Sequence, residues 1–369
     1  MAIKLSIGTA IYNIEENLLR ENIESTVRQL TDETELLLID DCSTNNSGEV
    51  CREYAAQDSR VRYIKMEQNG GLSRVRNRTI EEAAGKWILF ADGDDLLSDY
   101  FVATALDKLC ETDYDIIIYD RLKFAEKKQE EQPCAVTELT ELPREAGREL
   151  SISCLCLDTS IAGKIGLPST AFYHAAWAAL YRKDFLTDND LLFPDGQKKA
   201  QDSVFNTRAY YYAQKVAYLP YVMYYYRNNP QGITRRYSKD LVPVLQSLHG
   251  HLEACKNEYF PGDAEVEERY LNNRVMSMLI DCMRLNVFHK DNPHGKEERK
   301  QDFLNIIETE PYKSAIKCFD AKKSHREEWA LPAILIKKKK FGKMEWLLTG
   351  DKRYNVCCGL YKRILKIKR

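Results

Sequence analysis

The chain has 369 residues, 44% of them hydrophobic and 30% charged, which excludes a collagenous, mucin-like or mainly disordered protein and leaves room for two domains, or one with a large appendage. No apolar run approaches the roughly 20 residues needed to cross a bilayer, and the first residues lack the features of a secretion signal. Net charge is only −2, yet 331–369 holds twelve Lys and Arg against Glu345 and Asp351, and a basic tail on an acidic body suits a polyanion or an anionic membrane surface. The eleven cysteines are scattered, without a CxxC pair, which fits a reduced compartment. A cytoplasmic protein is expected.

Ile3–Ile11 reads as a first strand. Leu19, Ile23, Val27 and Leu30 then recur at helical spacing, after an Asn13 cap backed by Glu16. Leu36–Ile39 is a strand and Ser47–Gln57 a helix; Val61–Lys65, Leu72–Ala84 and Trp87–Ala91 continue the alternation, and a helix near Phe101–Leu109 leads to Asp115–Tyr119. Strands apolar on both faces and separated by single helices imply a parallel sheet covered on both sides. After Lys123 a charged stretch, Glu126–Gln132, opens a lid-like excursion to Pro168 with no sustained period. Order returns at Ala175–Leu186, Asp202–Gln214 and the aromatic run to Tyr226. Leu241–Tyr259, Glu265–Asn286 and Gln301–Glu308 read as helices. The expected class is α/β, a mostly parallel sheet with helices on both faces followed by a mainly helical C-terminal region, divided as 1–125, 126–236 and 237–369.

Ligands in open α/β sheets bind at the carboxyl ends of strands. Here those ends carry Asp40-Asp41-Cys42-Ser43-Thr44, Asn69-Gly70-Gly71 and Asp92-Gly93-Asp94-Asp95. Three carboxylates within four positions repel one another unless a cation or hydrogen-bond donors offset them, and hard oxygen ligands suit Mg²⁺ or Mn²⁺. A metal-binding Asp-x-Asp usually serves to bridge phosphates. Neither GxxxxGK[ST] nor GxGxxG occurs, which excludes a Walker-type NTPase and a dinucleotide fold. A nucleotidyltransferase would also carry a glycine-rich basic loop after strand one, and Gly8–Asn13 is not one.

Taken together, these segments resemble the family-2 glycosyltransferases of GT-A fold. Ala10-Ile11-Tyr12-Asn13 matches the family's Pro-x-Tyr-Asn with alanine for proline. Ile39-Asp40-Asp41-Cys42-Ser43-Thr44-Asn45-Asn46-Ser47 matches its Val-Asp-Asp-Gly-Ser-Thr-Asp-x-Ser, with cysteine for glycine and asparagine for the later aspartate. Asn69-Gly70-Gly71-Leu72-Ser73-Arg74-Val75-Arg76-Asn77-Arg78-Thr79 is similar to Asn-x-Gly-Leu-Ser-x-Ala-Arg-Asn-x-Gly, with Thr79 for the last glycine. Phe90-Ala91-Asp92-Gly93-Asp94-Asp95 meets Phe-x-Asp-x-Asp-Asp in full. Farther on, Trp177–Arg182 is similar to Trp-x-Lys-Leu-Tyr-Arg with Ala179 for the lysine, and Gln201-Asp202 stands where the family has Glu-Asp. The resemblance covers about residues 3–236.

The resemblance implies a metal-dependent, inverting hexosyltransferase that uses a nucleotide sugar, UDP-linked, to build a bacterial surface glycan on a saccharide or polyprenyl-linked saccharide acceptor. Asp40 or Asp41 would contact the uracil or ribose, with Tyr12 against the base and Arg76 nearby. Asp92 would hold the ribose, or the metal through water, and Asp94 would ligate Mn²⁺ or Mg²⁺. Asp202 is the expected base for the acceptor hydroxyl, although an aspartate there could instead cap a helix, and Gln201 leaves it no like charge in sequence. Trp177 would line the acceptor site. The basic tail suits a peripheral association with the inner face of the membrane; no nucleic-acid module is present. A catalytically silent sugar-nucleotide or glycan-binding subunit is the alternative, suggested by Ala10, Thr79, Ala179 and Gln201.

Overall fold

The structure is a computed structural model that describes residues 2–109, 111–124, 138–168, 171–228, 236–324, 329–349 and 354–361. The charged stretch Glu126–Gln132 and the last residues of the basic tail lie outside them. The chain divides into two compact units, Met1–Ser151 with Ile161–Asn229, and Ile152–Ser160 with Pro230–Arg369.

Among the described residues the first unit holds a mixed sheet of nine strands. Strands β1 (Leu5–Ile11), β2 (Thr34–Asp40), β3 (Val61–Lys65) and β4 (Trp87–Asp92) alternate with helices α1 (Glu16–Val27), α2 (Ser47–Gln57) and α3 (Leu72–Glu82). They lie side by side in the order β3-β2-β1-β4, all parallel. Every residue of β2 is buried, because helices cover both faces of a parallel sheet, which is why its run is apolar without alternation.

Beyond β4 the sheet departs from the expected parallel order. The strand that follows α4 (Phe101–Thr104), β6 (Ile116–Phe124), does not pair with β4. Between them lies β8 (Ala179–Arg182), antiparallel to both, through Leu89↔Leu180 and Ile117↔Leu180. Then come β9 (Val216–Arg227), parallel to β6, and β5 (Leu96–Leu97) and β7 (Thr140–Glu141), each antiparallel to β9. The sheet is therefore parallel in one half and mixed in the other.

The excursion expected to lack regular structure contains α5 (Ala146–Cys156). Residues 150–156 are all buried, and a stretch of helix buried all round carries no amphipathic period to read. Helix α6 (Lys183–Asp188) follows β8, and α7 (Gln201–Tyr212) precedes β9.

The second unit is helical, as expected. It contains α8 (Leu241–Tyr259), then a continuous helical run of α9 (Ala264–Arg269) and α10 (Met276–Cys282) joined and extended by wide π turns, then α11 (Lys296–Glu308), α12 (Tyr312–Cys318), α13 (Ala330–Lys337) and α14 (Phe341–Leu348). Leu245, Leu248 and Leu252 from α8 are buried, as are Met276, Leu279 and Phe303. The last residues of α5 belong here, where buried Arg274 donates to the Leu155 carbonyl (3.0 Å) and to that of Cys154. This satisfies carbonyls that a helix end would otherwise leave open.

Candidate active site

Register brings the motif loops to one sheet edge. Ile11 pairs with Asp40 and Ala10 with Asp92, so Tyr12, Asp40-Asp41 and the Asp92–Asp95 turn all leave the carboxyl ends of adjacent parallel strands.

Tyr12 is 52% exposed, an open ring at the mouth of this edge. Asn13 does not cap α1, whose N-cap is Glu15 without a side-chain bond. Its φ is +50°, which asparagine tolerates. Its Oδ1 accepts from the Thr44 N–H (2.7 Å), the Thr44 hydroxyl (3.2 Å) and the Asn45 N–H (3.3 Å). The side chain thus ties the loop after β1 to the loop after β2.

Asp40 and Asp41 are buried, and both spend their oxygens on their own chain. Asp40 Oδ1 accepts from the Ser43 N–H and Oδ2 from the Tyr63 hydroxyl, both at 2.8 Å. Asp41 accepts from the Gly70 N–H on Oδ1 (2.7 Å), and from the Gly71 N–H (2.8 Å) and Asn69 Nδ2 (2.9 Å) on Oδ2. Gly71, at φ +80°, stands where an L side chain would be strained. The family's Asn-x-Gly is here the cradle of the Asp41 carboxylate.

Arg76 is the electrostatic centre. Its side chain is 2% exposed, and it donates from Nη2 to Asp92 Oδ1 (3.0 Å) and pairs through Nη1 with Asp202. Its guanidinium lies 5.3 Å from the centroid of Phe193. Burial opposes its charge, but Asp202 and Asp92 hold its pKa above the ordinary value. Helix α3 supplies this residue and α7 supplies Asp202, so one cation joins carboxylates 110 residues apart in sequence.

Asp202 does not cap α7. The N-cap is Ala200, at φ +56°, and the Asp202 carboxylate instead turns to Arg76 and accepts the Ala176 N–H (3.3 Å). Burial pushes its pKa up, Arg76 opposes, and Asp92 adds to the rise. A like charge absent from the neighbouring position in sequence is thus delivered through space.

The acidic turn is clamped from three sides. Asn22 Nδ2 donates to the carbonyls of Asp92 (3.1 Å) and Asp95 (2.7 Å). The Tyr224 hydroxyl donates to Asp95 Oδ2 (2.9 Å) and accepts the Asp92 N–H (3.1 Å). Arg227 gives its N–H to Asp95 Oδ1 (2.7 Å), its Nε to the Asp94 carbonyl (2.7 Å) and its Nη2 to Glu21 (2.6 Å). Burial raises the Asp94 pKa, with Asp92 adding to it, and burial raises Asp95 further.

No group of three or more His, Cys, Asp and Glu fit to hold a metal occurs among the described residues. Asp94, however, forms no ion pair among them, and its desolvated carboxyl beside Asp92 is a donor that a cation would relieve. Such a site fits an ion whose remaining positions are filled by phosphate oxygens and water, the usual arrangement for Mg²⁺.

Trp177 is 5% exposed. It stacks on Tyr224 (4.7 Å between centroids, 12° between planes), Tyr226 (5.3 Å, 16°) and Phe172 (5.3 Å, 24°). Asn22, Asp95, Tyr224 and Arg227 escape the sequence reading as site builders. Asp95 is counted there only as one of three clustered carboxylates, and the others come from α1 and β9. A signal did exist in the aromatic run to Tyr226, but nothing local in sequence ties it to the acidic turn.

A family model described as Glycosyl transferase family 2 matches residues 6–162. The chain is 30% identical over 249 residues to the uncharacterized glycosyltransferase EpsJ of Bacillus subtilis, covering 68% of this chain and 66% of that one. It is 25% identical over 232 residues to the poly(ribitol-phosphate) beta-N-acetylglucosaminyltransferase TarS of Staphylococcus aureus, covering 62% of this chain and 36% of TarS. The chain thus spans just under two thirds of EpsJ and about a third of TarS. Among solved structures, S. aureus TarS 1–349 in complex with UDP-GlcNAc matches with a TM-score of 0.61 and 18% identity, covering 94% of this chain and 91% of that one, a likeness of fold. With four motif segments gathered at one sheet edge of a GT-A-like sheet, this chain belongs to the family-2 glycosyltransferases.

Proposed function

We propose that the protein transfers a sugar from a UDP-sugar to a saccharide or lipid-linked saccharide acceptor in bacterial surface glycan synthesis, with inversion at the anomeric carbon. The observation that carries this reading is the Arg76 bridge, which sets the metal-side carboxylate of Asp92 and the candidate base Asp202 on either side of one buried guanidinium. The TarS structure with UDP-GlcNAc supports UDP as the nucleotide.

In this reading Tyr12 stacks on the base. Asp40 and Asp41 brace the loops that receive the uracil and ribose, and Asp92 faces the ribose or the metal. Asp94, with Asp92, would hold Mn²⁺ or Mg²⁺, which offsets charge developing on the departing diphosphate. Asp202 takes the proton of the acceptor hydroxyl as the hydroxyl oxygen attacks the anomeric carbon. Its raised pKa makes it a stronger base than an exposed aspartate, and Arg76 keeps it ionised and oriented. One displacement assisted by one base converts an α-linked donor into a β-glycoside.

The C-terminal segment is read as a peripheral contact with the inner leaflet. Trp346, Val356 and Leu360 are each more than half exposed amid the lysines, while Lys337 and Lys339 are engaged by the Phe319 carbonyl and by Glu308.

The deciding experiment is UDP release from a panel of UDP-sugars with Mn²⁺ or Mg²⁺, using wild type, Asp94→Ala and Asp202→Asn, with EDTA as control. Metal-dependent release from one donor, abolished by Asp94→Ala, is expected. UDP binding without release from any donor would instead make the protein a silent sugar-nucleotide-binding subunit.

A further inference from the structure

Most arginines of the first unit that approach the site have a carboxylate partner: Arg76 has Asp92 and Asp202, Arg74 has Asp195, and Arg227 has Glu21. Arg121, on β6, forms no ion pair or hydrogen bond among the described residues. Its Nε is buried without a partner, and its guanidinium lies 4.2 Å from the centroid of Phe172 and 5.8 Å from that of Trp177. Half burial lowers its pKa, with Tyr226 and Asp95 acting in the opposite direction from a distance, and a partly desolvated guanidinium that no carboxylate contacts is costly to keep. Stacking on aromatic faces offsets part of that cost but leaves the N–H fork unused.

Arg121 pairs in register with Tyr224, and Lys123 with Tyr226, so both cations share a face of the sheet with the two tyrosines on which Trp177 stacks. The Lys123 ammonium lies 5.9 Å from the Tyr226 centroid. This face adjoins the chemistry at two points. Tyr224 holds Asp92 and Asp95, and the Asp202 carboxylate accepts the N–H of Ala176, the residue before Trp177. The half-buried rings of Phe172 and Tyr226, beside two cations that no carboxylate contacts among the described residues, form a surface for a sugar chain that carries negative charge, since aromatic rings pack on sugars and a guanidinium fork takes an oxyanion in two parallel bonds.

We infer that the acceptor is an anionic glycan, and that Arg121, with Lys123 beside it, takes its phosphate or carboxylate next to the acceptor hydroxyl. This rests on the glycosyltransferase reading for the identity of the ligand as acceptor, but the anion site is testable by itself. The full chain, saturated with UDP, is titrated by calorimetry with glycerol 3-phosphate, with glucuronate and with neutral glycerol. Wild type, Arg121→Gln, Arg121→Lys and Lys123→Gln are compared, and the UDP Kd is measured for each.

One of the two anions is expected to bind wild type while glycerol does not, and which one binds names the charged group. Arg121→Gln is expected to weaken that binding about fivefold or more, the loss of a bidentate charged contact. Arg121→Lys should weaken it less, because the charge stays and the fork is lost, and Lys123→Gln, at an exposed position, should weaken it about twofold. The UDP Kd should stay unchanged throughout. Anion binding that is absent in wild type, unaltered in all three variants, or competitive with UDP would overturn the inference. If UDP itself does not bind, the donor reading falls, and the anion titration without UDP still decides on Arg121.

Discussion

Replacing Arg76 with methionine removes the guanidinium that pairs with both Asp92 and Asp202 and leaves two carboxylates facing each other across an apolar side chain of similar length. Breaking a fully buried pair by removing one partner costs about 3–5 kcal/mol. Here the Arg76 side chain is 2% exposed, but those of Asp92 and Asp202 keep 27% and 19%, so partial hydration places the loss near the lower end, about 3 kcal/mol at pH 7. The sign of the pH dependence follows from the same geometry. The Asp202 pKa is already raised, with Arg76 opposing the rise, and without Arg76 it rises further. The native protein then binds more protons than the unfolded chain between the unfolded value of about 3.9 and the raised one, so stability falls as pH increases through that interval. Urea unfolding of wild type and Arg76→Met at pH 7 and pH 5 should show the smaller deficit at pH 5. Adding Asp202→Asn to Arg76→Met should restore about 1 kcal/mol or more at pH 7, because the stranded charge is gone. A deficit equal at both pH values, with no coupling in the double variant, would refute the claim that the bridge is electrostatic.

Three further outcomes follow from local geometry. A Cβ on Gly8 would lie 2.1 Å from Thr79 Cγ2 and 2.9 Å from Thr79 Cβ, so Gly8→Ala should cost about 1–3 kcal/mol in thermal unfolding. Thr79→Gly should recover that loss, less its own helix-interior cost of about 1 kcal/mol, while Thr79→Ala should recover only part; equal recovery by both would contradict the contact. Cys42 holds φ +59° where the family has glycine, and its Sγ donates to the Met66 carbonyl (2.8 Å). Cys42→Gly is therefore expected to be neutral or stabilising by up to about 1 kcal/mol, and Cys42→Ala to be less stable than Cys42→Gly; the reverse order in melting temperature would sink the strain argument. The raised pKa values of Asp94 and Asp95 mean that these two groups lower stability as pH rises above about 4. A divalent cation should offset this at pH 7, so millimolar Mn²⁺ should raise the melting temperature of wild type but not of Asp94→Ala, and EDTA should reverse the gain.

The four parallel strands and their helices were legible in sequence because a strand buried on both faces must be apolar throughout, and the motif residues were legible because ligands collect at strand ends. The register of β1, β2 and β4 then brings Tyr12, Asp40, Asp41 and Asp92 together, as the strand-end rule leads one to expect. Where the reading fell short, the deciding contact was long-range. Asn13 looked like a helix cap because Glu16 stands at the right spacing, yet its acceptor is used by Thr44 and Asn45. Helix α5 was illegible because burial of all its last seven residues erases the period there. Thr79 looked like a lost glycine, but the space it fills is left open by Gly8 on the neighbouring strand.

The α/β order, the family and the identity of the acidic turn are legible along the chain, because each depends on residues close together in it. Long-range packing places β8 between β4 and β6, turns Asp202 away from its helix end to share Arg76 with Asp92, and leaves Arg121 among aromatic rings with no carboxylate in contact among the described residues. The physical reason is that a buried charge is stabilised by whichever opposite charge the fold brings to it, and in this chain that partner comes from a distant element or, for Arg121, is the ligand we infer.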